Sequence, residues 1–343
     1  MDRQFGTMPG GEPVSAFTLS SDTGLQLTVL DLGATVQSIR VPTGAGTSEE
    51  VVLGFDDAAG YTSPDNPYLG ASVGRYANRI AEASFELDGQ TYAVSANEGP
   101  TSLHGGVEGF HARVWAVVDS GSDRLTLQLV SVDGDQGFPG TLTATATYAV
   151  DGDAVTIDYE ATCDAPTVVS LTNHAYFALG GSDGGGADAH VLTVHADEYL
   201  PVTPASTPEG RTEPVSGTPF DLTTPTALGP RVRSAHPQVA RVVGIDHTFV
   251  LRGTGVRPAA RLEHPGTGRA LEVETDQPTI QVYTGNRLDG SLAGHEGRLL
   301  RQGDGICLET QRHPDAPNQP SFPSAVLRPG QTYRSHTRWT FSA

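Results

Sequence analysis

The sequence predicts an all-β protein, a large antiparallel β-sandwich. Three observations carry that expectation. Apolar side chains recur at every second residue, glycine and proline break the chain at roughly ten-residue intervals, and no stretch sustains a helical apolar repeat. With 41 glycines and 24 prolines in 343 residues, short strands joined by turns are favoured over long helices.

The strands can be taken in chain order. RLTLQLVSV, from Arg124, alternates cleanly. TLTATATYAV (Thr141 to Val150) puts Leu142, Ala144, Ala146, Tyr148 and Val150 on one face and four threonines on the other. AVTIDYEAT (Ala154 to Thr162) sets Val155, Ile157 and Tyr159 against Asp158 and Glu160. The Asp151-Gly152-Asp153 link predicts that these two form an antiparallel hairpin. RALEVETD, TIQVYTGN and YRSHTRWTFS read the same way. GGSDGGGADAH (Gly180 to His190) is expected to be a surface loop. No composition shift marks a linker and no internal repeat is visible, so residues 1–343 are expected to form one domain.

Composition narrows the function. A hydrophobic content of 37% suffices for a sizeable core, and no segment reaches the ~18 apolar residues of a membrane span. MDRQFGTMPGGEP, at the start, lacks the apolar run of a secretory signal. Cys163 and Cys307, far apart in sequence, argue against a disulfide framework and for a reduced, cytoplasmic protein. Forty acidic residues face 21 basic ones, all of them arginine, for a net charge of −19. Such a field disfavours nucleic acid, anionic membranes and phosphorylated ligands and favours a neutral small-molecule partner. With no lysine, Schiff-base catalysis is excluded. A monomer or weak dimer is expected.

The most informative segment is CLETQRHPDAPNQPSFPSAVLRPG (Cys307 to Gly330). Glu309 closes the apolar run GICLE. Pro314, Pro317, Pro320 and Pro323 follow, each removing a backbone donor and fixing φ, so the loop is stiff. A lone carboxylate beside a stiff loop suits a positioned acid–base group.

Other segments offer polar groups with two readings each. Asn78 and Arg79, in GRYANRIAEASFELDG, sit in a polar break; Arg79 can give two parallel hydrogen bonds to vicinal hydroxyls, or it is a surface arginine. His104, in TSLHGG, precedes two glycines that let backbone approach a ligand, or it belongs to a tight turn. His174, in SLTNHAYFALGG, stands by Tyr176 and Phe177, aromatic faces that suit a pyranose ring, or it is a satisfied core histidine. Asp246, in GIDHTFVL, is a ligand acceptor or a turn residue, and Gln281, in TIQVYTGN, faces a cleft or solvent. No metal site is expected. There is no HExxH or CxxC, and DGDQGFPG opens like a calcium loop but has Ala144 where a bidentate glutamate belongs. A G-x-S-x-G elbow and a phosphate-cradling glycine loop are also missing.

In their order, GRYANRI, SLHGG, TNHAYF, DHTFVL and the ET…PDAPNQPSFPS…LRPG tail resemble the galactose mutarotase (aldose 1-epimerase) family, from about Gly33 to Phe341. The resemblance implies one large antiparallel sandwich with an open cleft, no cofactor or metal, and a free aldohexose such as galactose or glucose as substrate. It implies His174 as general acid and Glu309 as general base, with Asn78, Arg79, His104, Asp246 and Gln281 holding sugar hydroxyls. Ala175, Ala178 and Thr248 depart from the family's usual polar residues, which bears on sugar preference. The acidic field and Glu309 are expected to keep His174 protonated above the ~6.5 of a free histidine. Two alternatives use the same residues: a glycoside hydrolase or lyase built on Glu309 and Asp246, and a non-catalytic sugar-binding module.

Overall fold

In the computed structural model, which describes residues 2–44, 46–181 and 184–342, the period-two strings become strands. A nine-stranded antiparallel sheet has the spatial order Ala116–Ser120, Arg124–Ser131, Leu142–Asp151, Ala154–Cys163, Tyr333–Ser342, Ala270–Thr275, Arg257–Glu263, Val191–Val194, Thr226–Ala227. A six-stranded sheet runs Tyr176–Phe177, Ile306–Gln311, Thr279–Tyr283, Asp246–Leu251, Ala196–Leu200, Glu213–Pro214. A five-stranded meander from Asp2 to Glu50 completes the main layers. Among the described residues the longest helix is Pro237–Val242, and no helix is long and apolar enough to cross a membrane.

The predicted hairpin forms with ten cross-strand pairs, Asp151 opposite Ala154. Gly152, at φ +54°, takes the left-handed turn position. Leu142, Ala144, Ala146, Tyr148 and Val150 are buried, each large apolar side chain contributing about 1.5–3 kcal/mol. A slip of one residue would turn that whole face to solvent, and so the alternation fixes the register.

The same rule builds the functional face of the six-stranded sheet. Phe177, Ile280, Val282, Phe249, Ile306 and Leu308 point into the main core. There Phe177 meets Trp339 of the nine-stranded sheet edge-on, with ring centres 5.0 Å apart. On the opposite face two rows of cross-strand neighbours appear: Tyr176, Cys307, Tyr283 and Asp246 in one, and Glu309, Gln281 and Thr248 in the next.

One expectation is corrected here. The strand does not end at Glu309 but continues to Gln311, because Thr310 and Gln311 pair with Ile280 and Thr279 and are buried. The described part of Gly180–His190 is the expected surface loop, with Gly185, Asp188 and Ala189 exposed, and it is anchored by its own bonds. Ala187–Ala189 form a short 3-10 turn, and the buried His190 donates from Nδ1 to the Gly186 carbonyl at 2.8 Å; residues 182 and 183 lie outside the described residues.

The proline-rich loop is a brace. Asp315 donates its N–H to the Arg79 carbonyl (2.8 Å) and accepts the Ala81 N–H at Oδ1 (2.9 Å), while the Tyr76 hydroxyl donates to the His313 carbonyl (2.8 Å). The segment carrying Asn78 and Arg79 is thereby fastened to the strand carrying Glu309.

Candidate active site

Between that segment and the functional face lies a cavity of about 210 Å³. Asn78, Arg79, His104, His174, Asp246 and Glu309 all line it. One wall is made of loops. Asn78 adopts φ +63°, a left-handed conformation that asparagine tolerates, and this lets it exchange bonds with His104. The His104 N–H donates to the Asn78 carbonyl (3.0 Å) and the Asn78 N–H donates to His104 Nδ1 (3.1 Å). Arg79 is held bidentately, Nε and Nη2 donating to Glu98 at 2.6 and 2.9 Å. The glycines after His104 allow close contacts within the fold: a Cβ on Gly105 would lie 1.9 Å from the Gly74 carbonyl oxygen.

The other wall is the sheet. Gln281 is not on the cavity surface. Its Nε2 donates to Asp246 Oδ1 (2.6 Å) and its Oε1 accepts from the Thr248 hydroxyl (2.5 Å), so it orients Asp246 from behind. His174 sits between the short strands Thr172–Asn173 and Tyr176–Phe177, with its ring 5.1 Å from those of His104 and Tyr176 and 5.9 Å from that of Tyr68. Its Nε2 is 3.8 Å from Glu309 Oε1, too far for a direct hydrogen bond. Glu309 is 2% exposed, and its Oε2 is buried with no partner.

Burial governs the charges. Desolvation lowers the His174 pKa to about 4 and raises that of Glu309 well above the ordinary carboxyl value, Asp246 adding to the latter. Asp246 is raised as well by burial, against the pull of Arg79. Burial opposes the Arg79 charge too, but Glu98 and Asp246 outweigh it and keep the guanidinium ionised. Both shifts run against the expectation of a protonated His174 beside an ionised Glu309. Loss of water disfavours the charged form of both groups, pushing the His174 imidazole down and the Glu309 carboxyl up.

Tyr68, Glu98, Tyr283 and Arg287 also line the cavity and had no signal as isolated residues. Tyr283 was findable, since it lies two residues from Gln281 on the same strand face. Glu98, in an aperiodic loop, was not. His104, His174 and Glu309 place one ligand atom each within 4.8 Å of one another, a set that a divalent cation could also use. Four larger cavities, of about 890, 590, 610 and 480 Å³, are not lined by this acid–base pair. In the second, Glu50 is saturated by Ser38, Ile39 and Val52, and His295 is held between Asp56 and the Gln37 carbonyl.

The chain matches the family model described as Aldose 1-epimerase over residues 15–340. It is 42% identical to a galactose mutarotase of Homo sapiens over 339 residues, 98% of this chain and 96% of that one. It is 39% identical to an aldose 1-epimerase of Escherichia coli over 343 residues, 98% and 97% of the two chains. Among solved structures, an aldose epimerase homologue from C. elegans superimposes with a TM-score of 0.88 at 31% identity, covering 96% of this chain and 99% of that one. Galactose 1-epimerase from Lactobacillus acidophilus gives 0.88 at 28% identity, covering 100% and 98%.

Proposed function

This chain belongs to the aldose 1-epimerase family, and from that premise we propose how its cavity acts. The enzyme is an isomerase that interconverts sugar anomers. The proposed substrate is a free aldohexose, galactose or glucose, and the proposed proton carriers are His174 and Glu309.

The observation that carries this reading is the convergence of unused polar atoms. Among the described residues, Asn78 Nδ2, Arg79 Nη1 and His104 Nε2 have no protein partner, nor does Asp246 Oδ2, although the rest of each group is bonded. Fixed donors and one acceptor around a small space suit a polyhydroxyl ring, with Tyr68, Tyr176 and Tyr283 offering faces to its C–H groups.

Ring opening needs one proton removed from the anomeric hydroxyl and one delivered to the ring oxygen as the C1–O5 bond breaks and the C1 carbonyl forms. Rotation about C1–C2 and reclosure reverse both transfers. The proton count of the pair is conserved, so the same two groups exchange acid and base roles between the half-reactions. Each transfer contributes about 10²–10⁴-fold. The 3.8 Å gap leaves the pair to be joined by substrate oxygens and not by a direct bond.

Polarimetry of freshly dissolved α-galactose and α-glucose tests the reading. Faster relaxation of optical rotation is expected. Sugar binding without acceleration would leave a binding module, and release of nitrophenol from aryl glycosides would leave a hydrolase. We also propose that residues 1–343 act as one unit, because one core cluster joins residues of all three main sheets. The two free thiols support a reduced, cytoplasmic setting, and the charge of −19 supports a monomer or weak dimer.

A further inference from the structure

We propose that Cys307 fixes His174 in the Nδ1–H tautomer, so that Nε2 is the nitrogen that gains and loses the catalytic proton. The inference rests on His174 being a proton carrier and makes Cys307 a positioning residue for it. Cys307 is buried on the strand that carries Glu309, two residues before it and on the same face. Its Sγ lies 3.5 Å from His174 Nδ1. The His174 carbonyl accepts the Gly70 N–H at 3.0 Å and, with its second lone pair, favours a hydrogen on the ring as well; it can only accept, and so points to the same tautomer as the sulfur.

The direction of the bond follows from the next group along. The Tyr176 hydroxyl lies beside the thiol and donates its own hydrogen to the Pro67 carbonyl at 2.9 Å, leaving its oxygen to accept. Burial, reinforced by Glu309 and Asp246, keeps the thiol protonated. With the Tyr176 O–H committed to Pro67, the sulfur is left to accept from His174 Nδ1–H, and His174 then presents a bare Nε2 to the cavity.

His104 is wired the other way. Its Nδ1 accepts the Asn78 backbone N–H at 3.1 Å, a group that can only donate, so its proton must sit on Nε2. Adding a proton at Nδ1 would bring two hydrogens face to face. His104 can thus donate a hydrogen bond but cannot shuttle a proton, whereas sulfur accepts from Nδ1–H whether His174 is neutral or charged. The two neighbouring histidines hold opposite tautomers, and only one can turn over.

The test is NMR of ¹⁵N-histidine-labelled, sugar-free protein, with His174→Asn and His104→Asn spectra giving the assignments. The expected result is His174 protonated at Nδ1 and His104 at Nε2. Cys307→Ala should shift His174 toward Nε2–H and lower kcat about threefold to tenfold, the scale of one lost hydrogen bond, with KM little changed. Cys307→Ser, which can accept and donate, should restore most of kcat and the wild-type tautomer. An Nε2–H tautomer at His174 in the wild type overturns the proposal, as does a Cys307→Ala protein with unaltered tautomer and kcat. If Cys307→Ala does not fold, the wild-type spectrum still decides. Full turnover in His174→Asn would instead remove the role of His174 itself, whatever its tautomer.

Discussion

The loop wall and the sheet wall border the same cavity but are finished differently. On the loop wall Asn78, Arg79 and His104 spend most of their hydrogen-bonding capacity on each other and on Glu98. Each keeps one fixed donor for the cavity. On the sheet wall Glu309 has no hydrogen bond from any described residue, and its Oε2 is buried without a partner. Leaving a buried polar atom unpaired costs about 1–3 kcal/mol. Recognition is served by donors whose directions are already set, while proton transfer is served by a carboxyl deprived of water and left for the substrate to satisfy. The stability lost at Glu309 is the kind of strain that active sites retain.

The comparison is broken most directly at Glu309. Glu309→Gln keeps the shape but removes the exchangeable proton, and the turnover number should fall at least about 10²-fold with sugar binding retained by calorimetry. Near wild-type turnover would move the chemistry off Glu309, with Asp246 on the same wall the next candidate.

His174→Asn should cost a similar factor and also changes the pH profile. The active pair carries one proton. It gains a second as pH falls through about 4, where His174 titrates, and loses its last as pH rises through the raised Glu309 value; both apparent values belong to the pair. In His174→Asn the residual kcat/KM, followed by polarimetry, should lose the acid limb and keep the alkaline one. Loss of the alkaline limb instead would show that the free enzyme holds an imidazolium.

How much of this was legible varies with what local sequence can record. The strands were readable because alternation is a property of neighbouring residues, and Leu142 to Val150 show it without help. Glu309, His174 and Asp246 stood out through their motifs. Glu98 did not, since its pairing with Arg79 exists only once a loop folds back. Between the two readings of the glycines after His104 the sequence could not choose, because the close approach of Gly105 to Gly74 exists only in the folded chain. The pull on protonation was hidden for a related reason: formal charge can be counted along a chain, but the loss of water around His174 cannot.

Glu98 offers a smaller and more selective test. In Glu98→Gln, Arg79 loses a charge-assisted bidentate partner and its unused Nη1 is no longer held in place. KM should rise roughly threefold to tenfold, about 1 kcal/mol of binding, while kcat stays nearly constant. A fall in kcat at unchanged KM would mean that the loop wall takes part in proton transfer as well.

The smallest effect concerns the scaffold behind the sheet wall. His247 is buried, accepts the Asp246 N–H at Nδ1 (3.2 Å), and donates from Nε2 to Gln238 Oε1 (3.1 Å). Burial lowers its pKa to about 3, whereas an unfolded histidine titrates near ~6.5. Between those values the unfolded chain binds a proton that the folded chain refuses, so this residue makes stability fall as pH drops through that window and adds nothing above it. Buried acids such as Asp246 and Glu309 act oppositely, holding protons in the folded state that the unfolded chain has released, and they partly mask the slope. His247→Gln isolates the histidine contribution. Urea unfolding across pH 7 to 4 should show the variant's stability declining less steeply, by about 1.4 kcal/mol per pH unit for one proton. An unchanged slope would mean that His247 titrates alike folded and unfolded, and that water reaches behind the sheet wall.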